Sequence, residues 1–118
     1  KPIFPRDSFL IAGNNSFDNI YYRTCNQLET HLKKHDFLID NVSRSSVGDK
    51  HYYNVEINVK RDDWDYNKTN DYQMGKLLKI KGVGLVDYFS HDDMVHEIIL
   101  IDEDELNDKY LKDGNLRF

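Results

Sequence analysis

Histidines beside carboxylates are the residues of this sequence best suited to metal chemistry. His31 and His35 stand four residues apart in a predicted helix, and this spacing puts both imidazoles on one side, where they can share a metal ion. No third ligand lies nearby, so we interpret the pair as a solvated helix end. His96 and Glu97 are neighbours in a predicted strand and point to opposite faces, so they cannot easily bind one ion. We predict no metal site at either pair.

Other reactive residue types occur in settings that favour a structural role. Asp62, Asp63 and Asp65 form an acidic cluster with some capacity for a divalent cation, but a solvated loop is the simpler interpretation. Cys25 is the only cysteine and falls on an apolar helix stripe, where we expect a core residue rather than a nucleophile. A single cysteine excludes an internal disulfide and fits a reducing compartment such as the cytoplasm. The sequence contains no phosphate-binding loop and no dinucleotide fingerprint.

The composition is typical of one globular domain. The chain has 118 residues, 31% charged and 39% hydrophobic, which is enough for a single core over residues 1–118. Its net charge of −5 argues against nonspecific nucleic-acid binding, since that binding depends on Lys and Arg neutralising phosphates. No apolar run approaches the ~20 residues of a membrane-spanning helix. Because the chain begins without Met, we expect a piece of a longer protein, and a membrane-anchored parent with this domain in the cytoplasm fits that expectation.

Residues 51–61 carry the firmest structural prediction. Apolar and polar residues alternate there without a break, and a period of two is typical of a strand with one buried and one polar face. The buried set is Tyr53, Val55, Ile57 and Val59, and the polar set is Asn54, Glu56, Asn58 and Lys60. The role of this polar face is central to the function of the protein.

The predicted elements around this strand form an α+β domain. In chain order they are strand 8–12, helix 16–35, strand 37–42, strand 51–61, helix 70–81, strands 83–89 and 94–101, and helix 102–111. Residues 43–50 are predicted as a polar hairpin loop, and Gly82 as the residue that ends the second helix. The first six elements follow the split βαβ order of ferredoxin-like folds, with two helices on one face of an antiparallel sheet and an extra strand and short helix at the C-terminus. Such a sheet pairs strand 8–12 with strand 51–61, and the apolar run at 98–101 predicts an interior strand.

The passage Leu77–Val86 resembles the helix followed by an I-x-G-V-x-x-V strand in ACT-like domains. Over residues 8–90 the spacing of elements is similar to those domains and to the C-terminal domain of MgtC-type membrane proteins. The resemblance implies a non-catalytic regulatory, ligand-sensing or dimerising role. It also implies ligand contacts at the turn before the first helix, which consists of Gly13, Asn14, Asn15 and Ser16. A Gly-containing loop at a helix N-terminus offers free N–H groups to an anion, although a plain turn with an N-cap explains the same residues.

A second resemblance implies chemistry. Residues 55–64 are similar to the catalytic strand of PD-(D/E)xK nuclease-like domains, in which an acid on an earlier strand joins an E-x-K motif to bind Mg²⁺. The resemblance assigns these roles to Asp40, Glu56 and Lys60. Asn58 occupies the position of the motif lysine, and Lys60 lies one pleat further, about 7 Å away along the same face. The alternative function is therefore a metal-dependent nuclease or a degenerate relative of one.

The polar face of strand 51–61 is also a candidate partner surface. Tyr52 and Trp64 are predicted to flank it, and two long helices can cover only one face of the sheet. We therefore expect a homodimer, or an intramolecular partner domain, at the exposed sheet face. The favoured prediction is a non-catalytic interaction module without a cofactor.

Overall fold

The structure is a computed structural model that describes residues 16–118. The predicted strand 8–12 lies outside the described residues. The elements in chain order are α1 (Ser16–Lys34), β1 (Asn41–Val47), β2 (Lys50–Lys60), a 3-10 turn (Arg61–Asp63), α2 (Tyr66–Thr69), α3 (Asp71–Leu78), β3 (Val83–His91), β4 (Met94–Asp102), α4 (Glu103–Tyr110), β5 (Leu111–Lys112) and β6 (Asn115–Leu116). The predicted α+β class is confirmed.

Four antiparallel strands form the main sheet in the order β1-β2-β4-β3, and β5 and β6 form a small separate ladder. The alternation predicted for residues 51–61 is confirmed, since Tyr53, Val55 and Ile57 are 0%, 0% and 1% exposed. They pack in one core with Leu28 of α1 and Met74 of α3. The core therefore lies on the helix-covered side, and the opposite side of the sheet, which we call the open face, carries the polar set of β2.

The predicted ferredoxin-like strand order is not the observed one. β2 pairs with β1 on one side and with β4 on the other, so β4 holds the central place predicted for residues 8–12. The physical reason is the apolar run Ile98–Ile101, in which Ile99 and Ile101 are fully buried and Ile98 and Leu100 are half-buried on the open face. A strand that is apolar on both faces is most stable between two neighbours. The prediction of an interior strand there is confirmed.

The strand predicted at residues 37–42 is displaced toward the C-terminus. Regular pairing begins at Asn41, and β1 continues to Val47 through residues predicted as a loop. Full-length pairing with β2 satisfies the backbone groups on one side of this serine-rich edge strand, so its low apolar content is tolerated. Phe37 and Ile39 are still buried, but from an irregular connection in which the Leu38 N–H donates to the Lys68 carbonyl at 2.9 Å. Gly48 adopts a φ of 60° in the two-residue turn that follows β1.

The helix before β3 begins as predicted and ends earlier. The Asn70 side chain caps α3 by accepting from the N–H groups of Tyr72 and Gln73 at 2.8 and 3.3 Å. The left-handed residue that closes the helix is Lys79, with a φ of 60°, and not Gly82 as predicted. Within residues 16–118, no helix has the length and apolar character needed to cross a membrane.

Candidate functional site

The outer edge of β3 is the most unusual surface of the described chain. Four large apolar side chains are exposed along this one strand: Leu85 41%, Val86 58%, Tyr88 52% and Phe89 49%. We call this group the β3 edge. Soluble proteins seldom expose contiguous apolar surface without a function, and an apolar edge strand presents unpaired backbone groups as well.

The exposed side chains of the β3 edge lie on both sides of the sheet. Leu85 and Tyr88 are in register with Ile99 and Glu97, whose side chains are buried on the helix-covered side. Phe89 is in register with His96 on the open face, where the two rings stack with centroids 4.5 Å apart. A partner lying flat on one face of the sheet would cover only half of this surface. An added strand would contact both halves.

Two features define which part of β3 is available for pairing. The Leu85 N–H already donates to the Asp71 carboxylate at 3.1 Å. A β-bulge between Leu85 and Asp87 then breaks the register with β4, and regular geometry resumes from Asp87 to His91. Among the described strands none pairs with the outer side of this segment. The available template is therefore residues 87–91.

The turn after β3 holds this segment in place. Asp92 adopts a φ of 56°, a conformation that aspartate tolerates better than most residues. The Arg61 guanidinium donates to the Asp92 carbonyl at 2.8 Å, and the Arg61 N–H donates to the Asp93 carbonyl. The end of β2 is thus tied to the β3–β4 hairpin, so the edge is presented on a rigid support.

The three residues predicted for nuclease chemistry are only partly brought together. The Asp40 N–H donates to the Glu56 carbonyl at 2.8 Å, so their backbones are adjacent. Glu56 and Lys60 both lie on the open face of β2, two pleats apart. Lys60, however, lines a separate cavity of about 550 Å³ together with Asp63 and Asp65. Nowhere in residues 16–118 do three or more His, Cys, Asp or Glu side chains lie close enough to hold a metal ion.

The remaining residues predicted for ligand or partner contacts lie in different places. Gly13, Asn14 and Asn15 lie outside the described residues, and Ser16 is the first residue of α1. Tyr52 is on the open face, half-buried beside Leu100. The prediction that Trp64 flanks the same face is wrong. Its indole N–H donates to Glu97 Oε1 at 3.2 Å, which places the ring on the helix-covered side.

Sequence reasoning missed the buried carboxylate of Glu97. The side chain is 4% exposed and lies beside Trp64 and Thr69. Burial raises the pKa of this carboxyl, and the hydrogen bonds from its two neighbours oppose the rise. The signal was present in the alternation of β4, since Glu97 shares the phase of Val95 and Ile99.

Comparisons with known proteins return no relative. No family model matches the chain, and no significant match was found among curated proteins or solved structures. Residues 16–118 form an α+β domain with an apolar sheet edge that no described strand covers. Its function is argued from that surface.

Proposed function

We propose that this domain is a non-catalytic interaction module that pairs with a second copy of itself along β3. The observation that carries the proposal is the β3 edge, four apolar side chains exposed on both sides of a strand whose outer side pairs with no described strand. Strand addition satisfies the free backbone groups and removes apolar surface from water on both sides at once. Because strand pairing involves no chemical step, we assign the domain a regulatory rather than a catalytic role.

The sequence of the available segment favours a second copy as the occupant. Antiparallel pairing of residues 87–91 about a two-fold axis at Phe89 sets each Asp87 opposite His91 of the second copy. A carboxylate opposite an imidazole is a favourable cross-strand pair, and all of these side chains share the open face. His91 now lies 3.3 Å from Asp92, but both side chains are over three-quarters exposed, so this contact is easily exchanged.

The topology supports the same class of function. Apart from the one-turn helix α2, the order α1-β1-β2-α3-β3-β4 resembles a ferredoxin-like βαββαβ unit with its first strand moved to the end, which supports the proposal. We propose a permuted ferredoxin-like, ACT-like regulatory domain in the cytoplasm, possessing a ligand-sensing role as its family resemblance implies. A five-residue strand pair buries less than the ~1,200 Å² of a standard interface, so we expect a weak and reversible dimer.

The experiment is a concentration series in analytical ultracentrifugation. We expect monomers at low micromolar concentration and dimers toward the millimolar range, and we expect Phe89→Lys to remain monomeric throughout. Val47→Lys is the matched control, since Val47 is an apolar residue 66% exposed at the opposite edge of the sheet. It should dimerise as the unmodified protein does.

Three results would overturn the proposal. One is a wild-type chain that stays monomeric at millimolar concentration. Another is dimerisation that Val47→Lys disrupts and Phe89→Lys does not. The third is stronger association in Leu10→Asp than in the wild type, which would make residues 8–12 of the same chain the occupant of the edge.

The nuclease alternative rests on one observation, the adjacency of Asp40 and Glu56. It is tested by titrating Mg²⁺ while following Trp64 fluorescence, together with a plasmid-cleavage assay. Cleavage that is lost in Glu56→Gln would favour the alternative. Absence of both a fluorescence response and cleavage would eliminate it.

A further inference from the structure

A groove beside α1 has the composition of a ligand site. It runs between the outer surface of α1 and the hairpin formed by β5 and β6, and its volume is about 710 Å³. Small-molecule sites fall in the range of ~300–1,000 Å³. The groove shares no lining residue with the β3 edge.

The hairpin wall of the groove is held by one side chain of α1. Gln27 donates through Nε2 to Asn115 Oδ1 at 2.8 Å, and its Oε1 accepts from the Leu116 N–H at 2.7 Å. Both polar ends of the amide are therefore used, which fixes the distance between helix and hairpin. A groove with a fixed width loses little entropy when a ligand binds.

Two aromatic rings stack on each other at one end of the groove. Phe118 and His31 stack with centroids 3.8 Å apart and an interplanar angle of 3°, and Phe118 also contacts Tyr110 at 4.8 Å. Burial lowers the pKa of His31, and the neighbouring His35 and Lys34 lower it further. At neutral pH and above the imidazole is therefore mainly uncharged and acts as part of an aromatic surface.

Two cationic side chains line the groove and have no acidic partner among the side chains of residues 21–118. Arg23 and Lys34 are eleven residues apart, which is three helical turns, so both project from the same side of α1 about 16 Å apart along its axis. The Arg23 guanidinium lies beside Gly114 of the hairpin turn. Lys33 differs, because it points away and is paired with Glu29 at 2.8 Å.

We infer that this groove binds an organic anion that carries a flat ring. Arg23 and Lys34 supply charge for acidic groups at either end of the ligand, and the His31–Phe118 stack supplies a surface for its ring. Although the chain as a whole carries a charge of −5, two cations lie beside the aromatic rings of this groove, where they attract an anion. The inference does not depend on pairing at β3.

The test uses 2,6-naphthalenedicarboxylate as the probe and 2,6-naphthalenedimethanol as its uncharged analogue. Titration of the ¹⁵N-labelled full chain by NMR should shift amide signals of residues 23–34 and 114–116 with the dicarboxylate. The diol should bind at least tenfold more weakly, because it lacks the charges that Arg23 and Lys34 recognise. Loss of one charged hydrogen bond corresponds to about a tenfold loss of affinity.

Substitutions identify the cationic residues that bind the dicarboxylate. Arg23→Gln and Lys34→Gln should each weaken binding of the dicarboxylate by about tenfold. Lys33→Gln is the matched control, since it removes a cation of the same helix turn that does not line the groove, and its affinity should match that of the wild type. All three side chains are exposed, and an unchanged amide spectrum outside the groove establishes that each variant is folded.

The inference is overturned by any of three outcomes. These are no shift with the dicarboxylate, equal affinity for the diol, or a loss with Lys33→Gln as large as that with Lys34→Gln. Dimer formation is measured in the same samples, so that a failure of ligand binding is distinguished from a failure of pairing at β3.

Discussion

At the scale of single residues, burial determines the behaviour of the ionisable side chains in the core. Burial raises the pKa of the Cys25 thiol to about 11, so the sequence-based assignment of Cys25 to the core rather than to nucleophilic chemistry agrees with its position. Burial also raises the pKa of Tyr53 to about 12, while its hydroxyl donates to Asn107 Oδ1 at 2.9 Å. Both groups are neutral at physiological pH and contribute to the packing of the core.

Glu97 makes stability depend on pH in a direction that can be measured. Burial raises its folded-state pKa above the ordinary 4.5, so the folded chain holds this proton more tightly than the unfolded chain. The free energy of unfolding should therefore fall as the pH rises from about 4.5 through the folded-state pKa. Glu97→Gln keeps an oxygen for the Trp64 N–H and removes the charge.

We expect the Glu97→Gln variant to lose this part of the pH dependence and to be more stable than the wild type at neutral pH. Urea unfolding followed by Trp64 fluorescence at several pH values measures the effect. If the free energy of unfolding changed with pH in the same way for both proteins, Glu97 would not be the source of this pH dependence.

At the scale of elements, the junction between α3 and β3 depends on close backbone approach. The Gly82 N–H donates to Glu105 Oε1 at 3.0 Å, which ties this connection to α4. A Cβ atom on Gly82 would lie 2.6 Å from the Cβ of Asp102, the N-cap residue of α4. Glycine is needed here because two segments touch and not because a helix ends.

Gly82→Ala should destabilise the domain by about 1–3 kcal/mol, the usual cost of overpacking. Gly84→Ala is the matched control, since a Cβ atom there meets nothing within 4 Å. Its unfolding free energy should be close to that of the wild type. Thermal and urea denaturation of both variants measures the difference, and equal stability of the two would show that the Gly82 contact relaxes at no cost.

At the scale of the whole molecule, an ion pair with a buried carboxylate joins three elements. Arg44 of β1 forms a bidentate pair with the Glu103 carboxylate of α4, with Nη2 and Oε1 2.9 Å apart. Its guanidinium also lies over the ring of Tyr21 in α1 at 3.7 Å. Glu103 is 6% exposed and would be left buried without a partner if Arg44 were removed.

Arg44→Met should therefore cost about 3 kcal/mol of unfolding free energy, the penalty for stranding one partner of a buried pair. Adding Glu103→Gln to that variant should restore part of the loss. Lys50→Met is the control, because it breaks the exposed pair with Asp102 and should change stability little. If Lys50→Met lowered the free energy of unfolding as much as Arg44→Met does, the distinction between the exposed pair and the pair with a buried carboxylate would be wrong.

The domain has two separate candidate binding surfaces, the β3 edge and the groove beside α1. The β3 edge is apolar on both sides of a strand and fits a second copy of the chain. The α1 groove combines cations with stacked rings and fits an organic anion. Because the two lie on different parts of the domain, ligand binding and pairing can be measured in one sample.

The sequence by itself determined the features that depend on neighbours along the chain. The alternation of Tyr53, Val55 and Ile57 predicted β2, and the polar residues before the second helix predicted its start near residue 70, since both patterns act through local backbone geometry. The loop predicted over residues 43–50 contains the observed turn at Gly48, but most of it is the strand β1. Tertiary structure decided which strands meet. The burial of Glu97, the central place of β4 and the exposure of the β3 edge follow from pairing between residues far apart in the chain, which local propensities do not encode.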